Sequence, residues 1–202
     1  MQTQTRKRRV VPILCVLIFL GVLVLCAVLL WSNVHRRGME WRFPLQYEAL
    51  IQQYSAERDL DPFLVKGLIF AESSFRSEAV SPVGARGLMQ IMPNTAEWLA
   101  ERMGVSYEPD DLFHPAYNIR MGTYYIRLLL NMFEHRDTAL AAYNAGMGNV
   151  RAWLEDARYS DDGETLHTIP FPETRTYVER VNRYMEIYRD LYRVPALEGS
   201  TP

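Results

Sequence analysis

Residues 64–75 read LVKGLIFAESSF. Leu64, Val65, Leu68 and Ile69 recur at helical spacing on one side, which predicts an amphipathic helix with that side turned inward. Glu72 follows Ile69 by three positions and Leu68 by four, so it stands on the same side. A carboxylate there loses water, and the loss must be offset or the group must stay neutral. Desolvation disfavours the charged form, so the position predicts a raised pKa and a carboxyl able to donate a proton near neutral pH. The competing reading is a glutamate whose head reaches solvent past the last helical turn.

Outward from this segment the chain reads as a succession of helices. Asp61-Pro62 makes a helix start, with Asp at the N-cap and Pro at the first helical position. PLQYEALIQQYSAERDL precedes it with Leu45, Ala49 and Leu50 as apolar markers. MPNTAEWLAERMG starts a helix near Pro93 or Asn94 and stops it at Gly104. YNIRMGTYYIRLLLNMF is a long apolar-rich helix, DTALAAYNAG a short one with Asp137 as cap and Gly146 as stop, and GNVRAWLEDA another. ETRTYVERVNRYMEIYRDLY closes the series before Pro195. SEAVSPVGARG, with Pro82, Gly84 and Gly87, is a loop or tight hairpin. No segment shows clean strand alternation. The expected fold is all-α, or mainly α with a minor β-hairpin over 81–91.

The N-terminal forty residues differ in kind. Val10 to Trp31 carry no charge, a length that matches a membrane-spanning helix of about 20 residues. Arg6, Lys7, Arg8 and Arg9 precede it, whereas Arg36 and Arg37 after it are followed closely by Glu40. The basic excess places the N-terminus in the cytoplasm. A cleaved signal peptide would have a shorter apolar core and a small-x-small site, and LWSNVH supplies neither. The expected organisation is a basic tail at 1–9, a transmembrane helix at 10–31, a linker at 32–44, a catalytic domain at 45–192 and a tail at 193–202.

Composition narrows the chemistry. Of 202 residues 49% are hydrophobic, enough for a packed core, and the net charge of -2 gives no basic footprint for nucleic acid. Both cysteines, Cys15 and Cys26, lie in the apolar segment, which leaves no disulfide framework or thiol nucleophile beyond it. His35, His114, His135 and His167 lack metal-ligand spacing, so neither metal nor cofactor is expected.

Three further stretches have unusual composition. SPVGARGLMQIMP joins a glycine-rich loop to Gln90 and Met92, which suit hydrogen bonding to a sugar and packing on its face; a solvent-facing glutamine and core methionines are the plainer reading. AAYNAG sets Tyr143 and Asn144 among small residues at a helix end, either beside a ligand or as part of the helix stop. IPFPETRTYVERV places Glu173, Arg175 and Tyr177 where a proline-rich loop enters a helix, and Glu173 in the first turn also suits the helix dipole.

The ordered set ESSF, SPVGARGLMQIMP, AYNAG and IPFPETRTYVERV resembles the motifs of the soluble-lytic-transglycosylase (SLT) family, over about Leu45 to Tyr192. NIRMGTYYIRLLL resembles the family's intervening helix, with Asn118 and Gly122 in place. The resemblance implies a goose-type-lysozyme-like fold and cleavage of peptidoglycan glycan strands without water. It implies that Glu72 is the single acid/base, that Ser81, Gln90 and Met92 line the glycan groove, that Tyr143 and Asn144 stand near the acid and the sugar, and that Glu173 contributes to the saccharide site. With the apolar segment it implies a single-pass enzyme of the bacterial cytoplasmic membrane, its catalytic domain facing the wall. Two alternatives stay open: a hydrolytic muramidase using Glu78, Glu97 or Glu173 as a second carboxylate, and an inactive peptidoglycan-binding scaffold.

Overall fold

The computed structural model describes residues 3–193, with side chains from residue 19 onward. Two compact units part between Leu45 and Gln46. The side chains of Arg6 to Arg9 and of Cys15, and residues 194–202 of the C-terminal tail, lie outside the described residues.

The first unit is one helix, α1, Thr3–Arg42. Among the described residues its stretch Phe19–Arg42 is long and apolar enough to cross a membrane, and none of it is buried. Its 24 residues span about 36 Å at ~1.5 Å per residue, more than the roughly 30 Å of a bilayer core. The helix continues through the stretch read as a linker, supported by Arg36 Nε donating to Glu40 Oε1 one turn on at 2.9 Å. It ends at Arg42, just ahead of Pro44, which disfavours helical backbone in the residue before it.

The second unit holds α2 (Glu48–Glu57), α3 (Pro62–Ser73), α4 (Pro93–Met103), a 3₁₀ turn (Pro109–Phe113), α5 (Pro115–Met132), α6 (Arg136–Ala145), α7 (Met147–Leu154) and α8 (Pro172–Tyr192). Sequence signals account for most boundaries. Asp61 caps α3 by accepting from the Phe63 amide at 2.8 Å. Gly104 ends α4 in the left-handed region, at φ 64°. Asp137 is not the cap of α6: the helix begins at Arg136 with His135 at the N-cap, and the Asp137 carboxylate instead accepts from Asn182 Nδ2 of α8 at 2.8 Å.

The stripe read from residues 64–75 is buried as expected: Leu64 is 4% exposed, and Val65, Leu68 and Ile69 are fully enclosed. This face packs on α8, which turns Thr174, Tyr177, Val178, Val181, Met185 and Tyr188 inward. Gly67 sets how close the two helices come. A Cβ there would stand 2.9 Å from the Met185 backbone nitrogen and 3.0 Å from the Val181 carbonyl, so only glycine fits. Its poorer helix propensity, about 1 kcal/mol, is the cost of that approach. α5 contributes Ile119, Met121, Ile126 and Leu129 to the same core.

The hairpin expected over 81–91 is reduced to two isolated bridges, Val80 with Arg86 and Arg86 with Ile91. Arg86 and Ile91 exchange both backbone hydrogen bonds, at 3.0 and 3.1 Å. No ladder extends from them because Pro82 has no N–H to give and because Gly84, Gly87 and Gln90 all turn at positive φ.

Candidate active site

α3 ends just after Glu72, with Ser74 and Phe75 both in the left-handed region at φ 51° and 65°. Two consecutive non-glycine residues there are strained. Ser73 anchors this end: its hydroxyl lies 2.8 Å from the Leu88 carbonyl and 3.2 Å from the Ile69 carbonyl. The chain is thereby thrown back over the helix end, and the 76–92 loop comes to lie beside Glu72.

Glu72 remains partly open to solvent while the surrounding protein desolvates its carboxyl. Tyr177 Oη of α8 donates to Glu72 Oε1 at 2.6 Å. Burial pushes the pKa from its ordinary 4.5 up to about 7, against the opposing effects of the Tyr177 bond and the positive charge of Arg180. Burial wins because no cation is close enough to form an ion pair. A pKa of about 7 leaves a large fraction of Glu72 protonated at neutral pH, although its head is still partly open to solvent.

Tyr143 approaches from α6. Its hydroxyl donates to the Met89 carbonyl at 2.8 Å, and its ring packs against Tyr125 with centroids 5.1 Å apart. Burial and the nearby charge of Glu72 hold the Tyr143 hydroxyl well above its ordinary pKa, so it stays a phenol. Asn144 Oδ1 accepts from Thr174 Oγ1 at 2.8 Å, tying the end of α6 to the start of α8. Glu72, Tyr143 and Tyr177 thus converge from three helices.

The other sequence candidates line the surroundings. Ser81 Oγ accepts from the Ala85 amide at 3.0 Å and closes the loop's first turn. Gln90, at φ 47°, works within the protein. Its amide nitrogen donates to the carbonyls of Ala79 (3.1 Å) and Gly87 (2.9 Å), bracing the loop. Both N–H groups are committed, which leaves the Gln90 carbonyl oxygen for any bond to a sugar. Met92 is partly exposed at the N-cap of α4, and Glu173 is exposed in the first turn of α8. Ser81, Met92 and Glu173 make no hydrogen bond to Glu72, Tyr143 or Tyr177. Glu78, Glu97 and Glu173 all reach solvent, and no carboxylate is among the groups that shift Glu72.

Several residues outside the candidate set build the loop. Asn118 is fully buried on α5; its Oδ1 accepts from the Met89 amide at 2.7 Å, and its Nδ2 donates to the carbonyls of Leu112 (2.8 Å) and Arg86 (3.0 Å). A Cβ on Gly87 would come within 2.3 Å of that amide nitrogen, and one on Gly122 within 2.2 Å of Met89 Sδ. Met89 is thus core, pressed against α5. A cleft of about 310 Å³ opens nearby, lined by Asn94, Thr95, Trp98, Tyr125 and Met147. Tyr125 is absent from the candidates of the sequence; Tyr177 stands among them by its place at the entry to α8, but its bond to Glu72 is not foreseen there, although the spacing of Thr174, Tyr177, Val178 and Val181 marks an inward face. Among the described residues no three His, Cys, Asp or Glu side chains are grouped to hold a metal.

The transglycosylase SLT domain model matches residues 49–165, more than half of the chain. The chain is 38% identical over 164 residues to the soluble lytic murein transglycosylase of Salmonella typhimurium, covering 79% of this chain and 25% of that one. It is 30% identical over 168 residues to the membrane-bound lytic murein transglycosylase C of Actinobacillus pleuropneumoniae, covering 71% of this chain and 46% of that one. Among solved structures, an inactive mutant of lytic transglycosylase Slt from Pseudomonas aeruginosa superposes with a TM-score of 0.68 at 38% identity, over 75% of this chain and 25% of that one. The 70 kDa soluble lytic transglycosylase of Escherichia coli gives a TM-score of 0.67 at 35% identity, again over 75% and 25%. The chain therefore spans about a quarter of the length of the soluble relatives it matches. Shared motifs, shared helical architecture and a match over the greater part of the chain make it a member of the transglycosylase SLT domain family.

Proposed function

We propose that the chain is a membrane-anchored lytic transglycosylase that cleaves the β-1,4 bond from N-acetylmuramic acid to N-acetylglucosamine in peptidoglycan and leaves a 1,6-anhydro-muramic acid end. The observation that carries this reading is a desolvated carboxyl, Glu72, raised to a pKa of about 7, with no second carboxylate among the groups that shift it. Hydrolysis by paired carboxylates places an acid and a base or nucleophile on opposite sides of the bond. A lone acid suits a route in which one group gives a proton and then takes one back.

Glu72 starts as the neutral acid. Tyr177 occupies a lone pair of Oε1, so the proton is best carried on Oε2, from which it passes to the glycosidic oxygen as the bond breaks. The positive charge developing at the anomeric carbon is met by the substrate's own acetamido group. Glu72, now a carboxylate with the Tyr177 hydrogen bond to stabilise it, removes the proton from the 6-hydroxyl of muramic acid, and that oxygen closes onto the anomeric carbon. The acid is regenerated and no water is consumed. Tyr143, Asn144 and Gln90 hold the wall of the site through bonds to Met89, Thr174 and the 79–87 loop, while Ser81, Met92 and Glu173 line the saccharide groove. No metal or cofactor takes part.

The helix Phe19–Arg42 and the membrane-bound relative support anchoring of the catalytic domain, residues 45–192, to the cytoplasmic membrane. The basic residues at 6–9 support a topology with the N-terminus in the cytoplasm and the catalytic domain on the wall side. Trp31, 76% exposed at the end of the apolar run, suits the membrane–water interface.

The test is mass spectrometry of the products made from purified peptidoglycan by the full chain in detergent micelles, beside Glu72→Gln. Products one water lighter than hydrolytic muropeptides, absent with the variant, are expected. Products with reducing ends would replace this reading with that of a muramidase, and no products from folded protein would leave a binding scaffold.

A further inference from the structure

Arg180 is the cation nearest in effect to Glu72, and the chemistry above does not use it. It follows Tyr177 by one helical turn on α8, with its guanidinium carbon 5.9 Å from the centroid of the Tyr177 ring, whose hydroxyl reaches Glu72 at 2.6 Å. The side chain is exposed. Some arginines of this unit hold carboxylates, Arg86 with Asp110, Arg158 with Asp156, and Arg189 with Asp61 and Glu186, whereas Arg180 is distinguished by its place beside Tyr177 and Glu72. Among the described residues no carboxylate pairs with Arg180.

An exposed guanidinium held against an aromatic ring at the rim of a sugar-cleaving site is a receptor for an anion. Its planar fork matches a carboxylate. On the reading of the substrate as peptidoglycan, the carboxylates at hand are those of the substituent on muramic acid: the lactyl group itself, or the peptide attached to it. We propose that Arg180 receives a carboxylate of the muramic-acid substituent, and that this pairing couples substrate recognition to the protonation of the catalytic acid.

The coupling follows from charge. Glu72 is faced by Tyr177 and Arg180 from α8 and by Tyr143 from α6, while Arg76, in the loop after α3, donates to the Ser73 carbonyl at 3.1 Å. Of the groups that shift Glu72, Arg180 alone carries a charge, and it favours the carboxylate. A bound anion cancels that field, so Glu72 binds its proton more tightly in the complex than in the free enzyme. The acid is then most fully charged with its proton when the correct substrate is seated. A sugar polymer without carboxylates leaves Arg180 unpaired and gains no such increment.

This inference rests on the transglycosylase reading and is tested by pH profiles of the full chain in micelles on three strand preparations. The first is intact peptidoglycan strands. The second has its peptides removed by an amidase, leaving the lactyl carboxylate. The third has that carboxylate converted to a primary amide. The basic limb of kcat reports Glu72 in the complex and that of kcat/KM reports it in the free enzyme. For at least one carboxylate-bearing strand the kcat limb should lie about half a pH unit above the kcat/KM limb, and for the amidated strand the two should coincide. The strand that shows the gap identifies the carboxylate. In Arg180→Gln the gap should vanish and KM for that strand should rise ~3-fold, the worth of an exposed ion pair, while Arg180→Lys keeps the gap. Equal gaps on all three strands, or a gap that survives Arg180→Gln, would overturn the proposal. Absence of anhydro products from wild-type protein would instead overturn the reading it rests on.

Discussion

The helix α3 carries two ionisable side chains into the protein, six positions apart, and treats them in opposite ways. Lys66, 2% exposed, is given a counterion: its Nζ bonds Glu48 Oε1 of α2 at 2.9 Å and stands 4.9 Å from the Phe63 ring centroid. Glu48 is itself held by Gln52 Nε2 at 2.8 Å. Glu72 has no such partner; it has a phenol hydrogen bond, a more distant arginine and a pKa of about 7. A charge that holds two helices together is neutralised by a neighbour. A charge that must come and go with a proton is left uncompensated, because a close cation would lock it as a carboxylate. The contrast separates structure from function on one 12-residue helix.

Substituting the uncompensated group has the largest expected effect on activity. Glu72→Gln should lower turnover by ~10³-fold or more, since one residue acts first as acid and then as base. The melting curve should show the variant folded. A residual rate within about tenfold of wild type would break the contrast by showing that proton transfer lies elsewhere.

The compensated group predicts the reverse division of effects. Glu48→Gln leaves Lys66 buried without its anion and should cost about 3 kcal/mol of stability, towards the low end for a broken buried pair because Glu48 is only half-buried. Turnover per folded molecule should be unchanged. Chemical denaturation beside a kinetic assay checks both, and a variant as stable as wild type would remove the structural role assigned to the pair.

How much of this was legible in the sequence depends on whether the cause was local. Asp61-Pro62, Gly104 and Gly146 mark helix ends through backbone geometry that acts within a turn, and the stripe Leu64, Val65, Leu68 and Ile69 records its own burial. Glu72 was legible for the same reason. Its partner was not: Tyr177 lies 105 positions away, and only the packing of α3 on α8 through Gly67 brings its hydroxyl to the carboxyl. Lys66 has no part in that stripe, and its ion pair depends on α2 bringing Glu48 from 18 positions away. Gln90 reads as a free amide, and only the positive-φ turn of its loop directs the nitrogen inward to Ala79 and Gly87. Asp137 reads as a cap, yet an asparagine on α8 claims its carboxylate. Motif resemblance named more residues around the acid than local physics did, and the hydrogen bonds and close contacts supply the reasons for Asn118 and Gly122.

Two smaller effects sharpen the contrast. Between pH 4.5 and about 7 the folded chain keeps a proton on Glu72 that the unfolded chain has released. Stability contributed by this group therefore falls as pH rises through that window, by up to about 3 kcal/mol, and is level on either side of it. Glu72→Gln should lack this dependence, so the variant gains on wild type as pH rises; parallel stability–pH curves would contradict the assignment. Tyr177→Phe removes a hydrogen bond to the charged form, so the Glu72 pKa should climb further, by about 1 unit, and the basic limb of the rate profile should move up with it. A limb that moved down would mean that the phenol favours the neutral acid instead.

The most direct measurement is the titration of the Glu72 carboxyl itself. Carbon-13 NMR of the full chain in micelles, labelled at the glutamate carboxyls, gives one titration curve per glutamate, and the signal missing from Glu72→Gln identifies the one that matters. A midpoint near 7 is expected for that signal. A midpoint at or below the ordinary 4.5 would show a permanently ionised carboxylate, and the claim that α3 leaves this charge uncompensated so that it can carry a proton would be wrong.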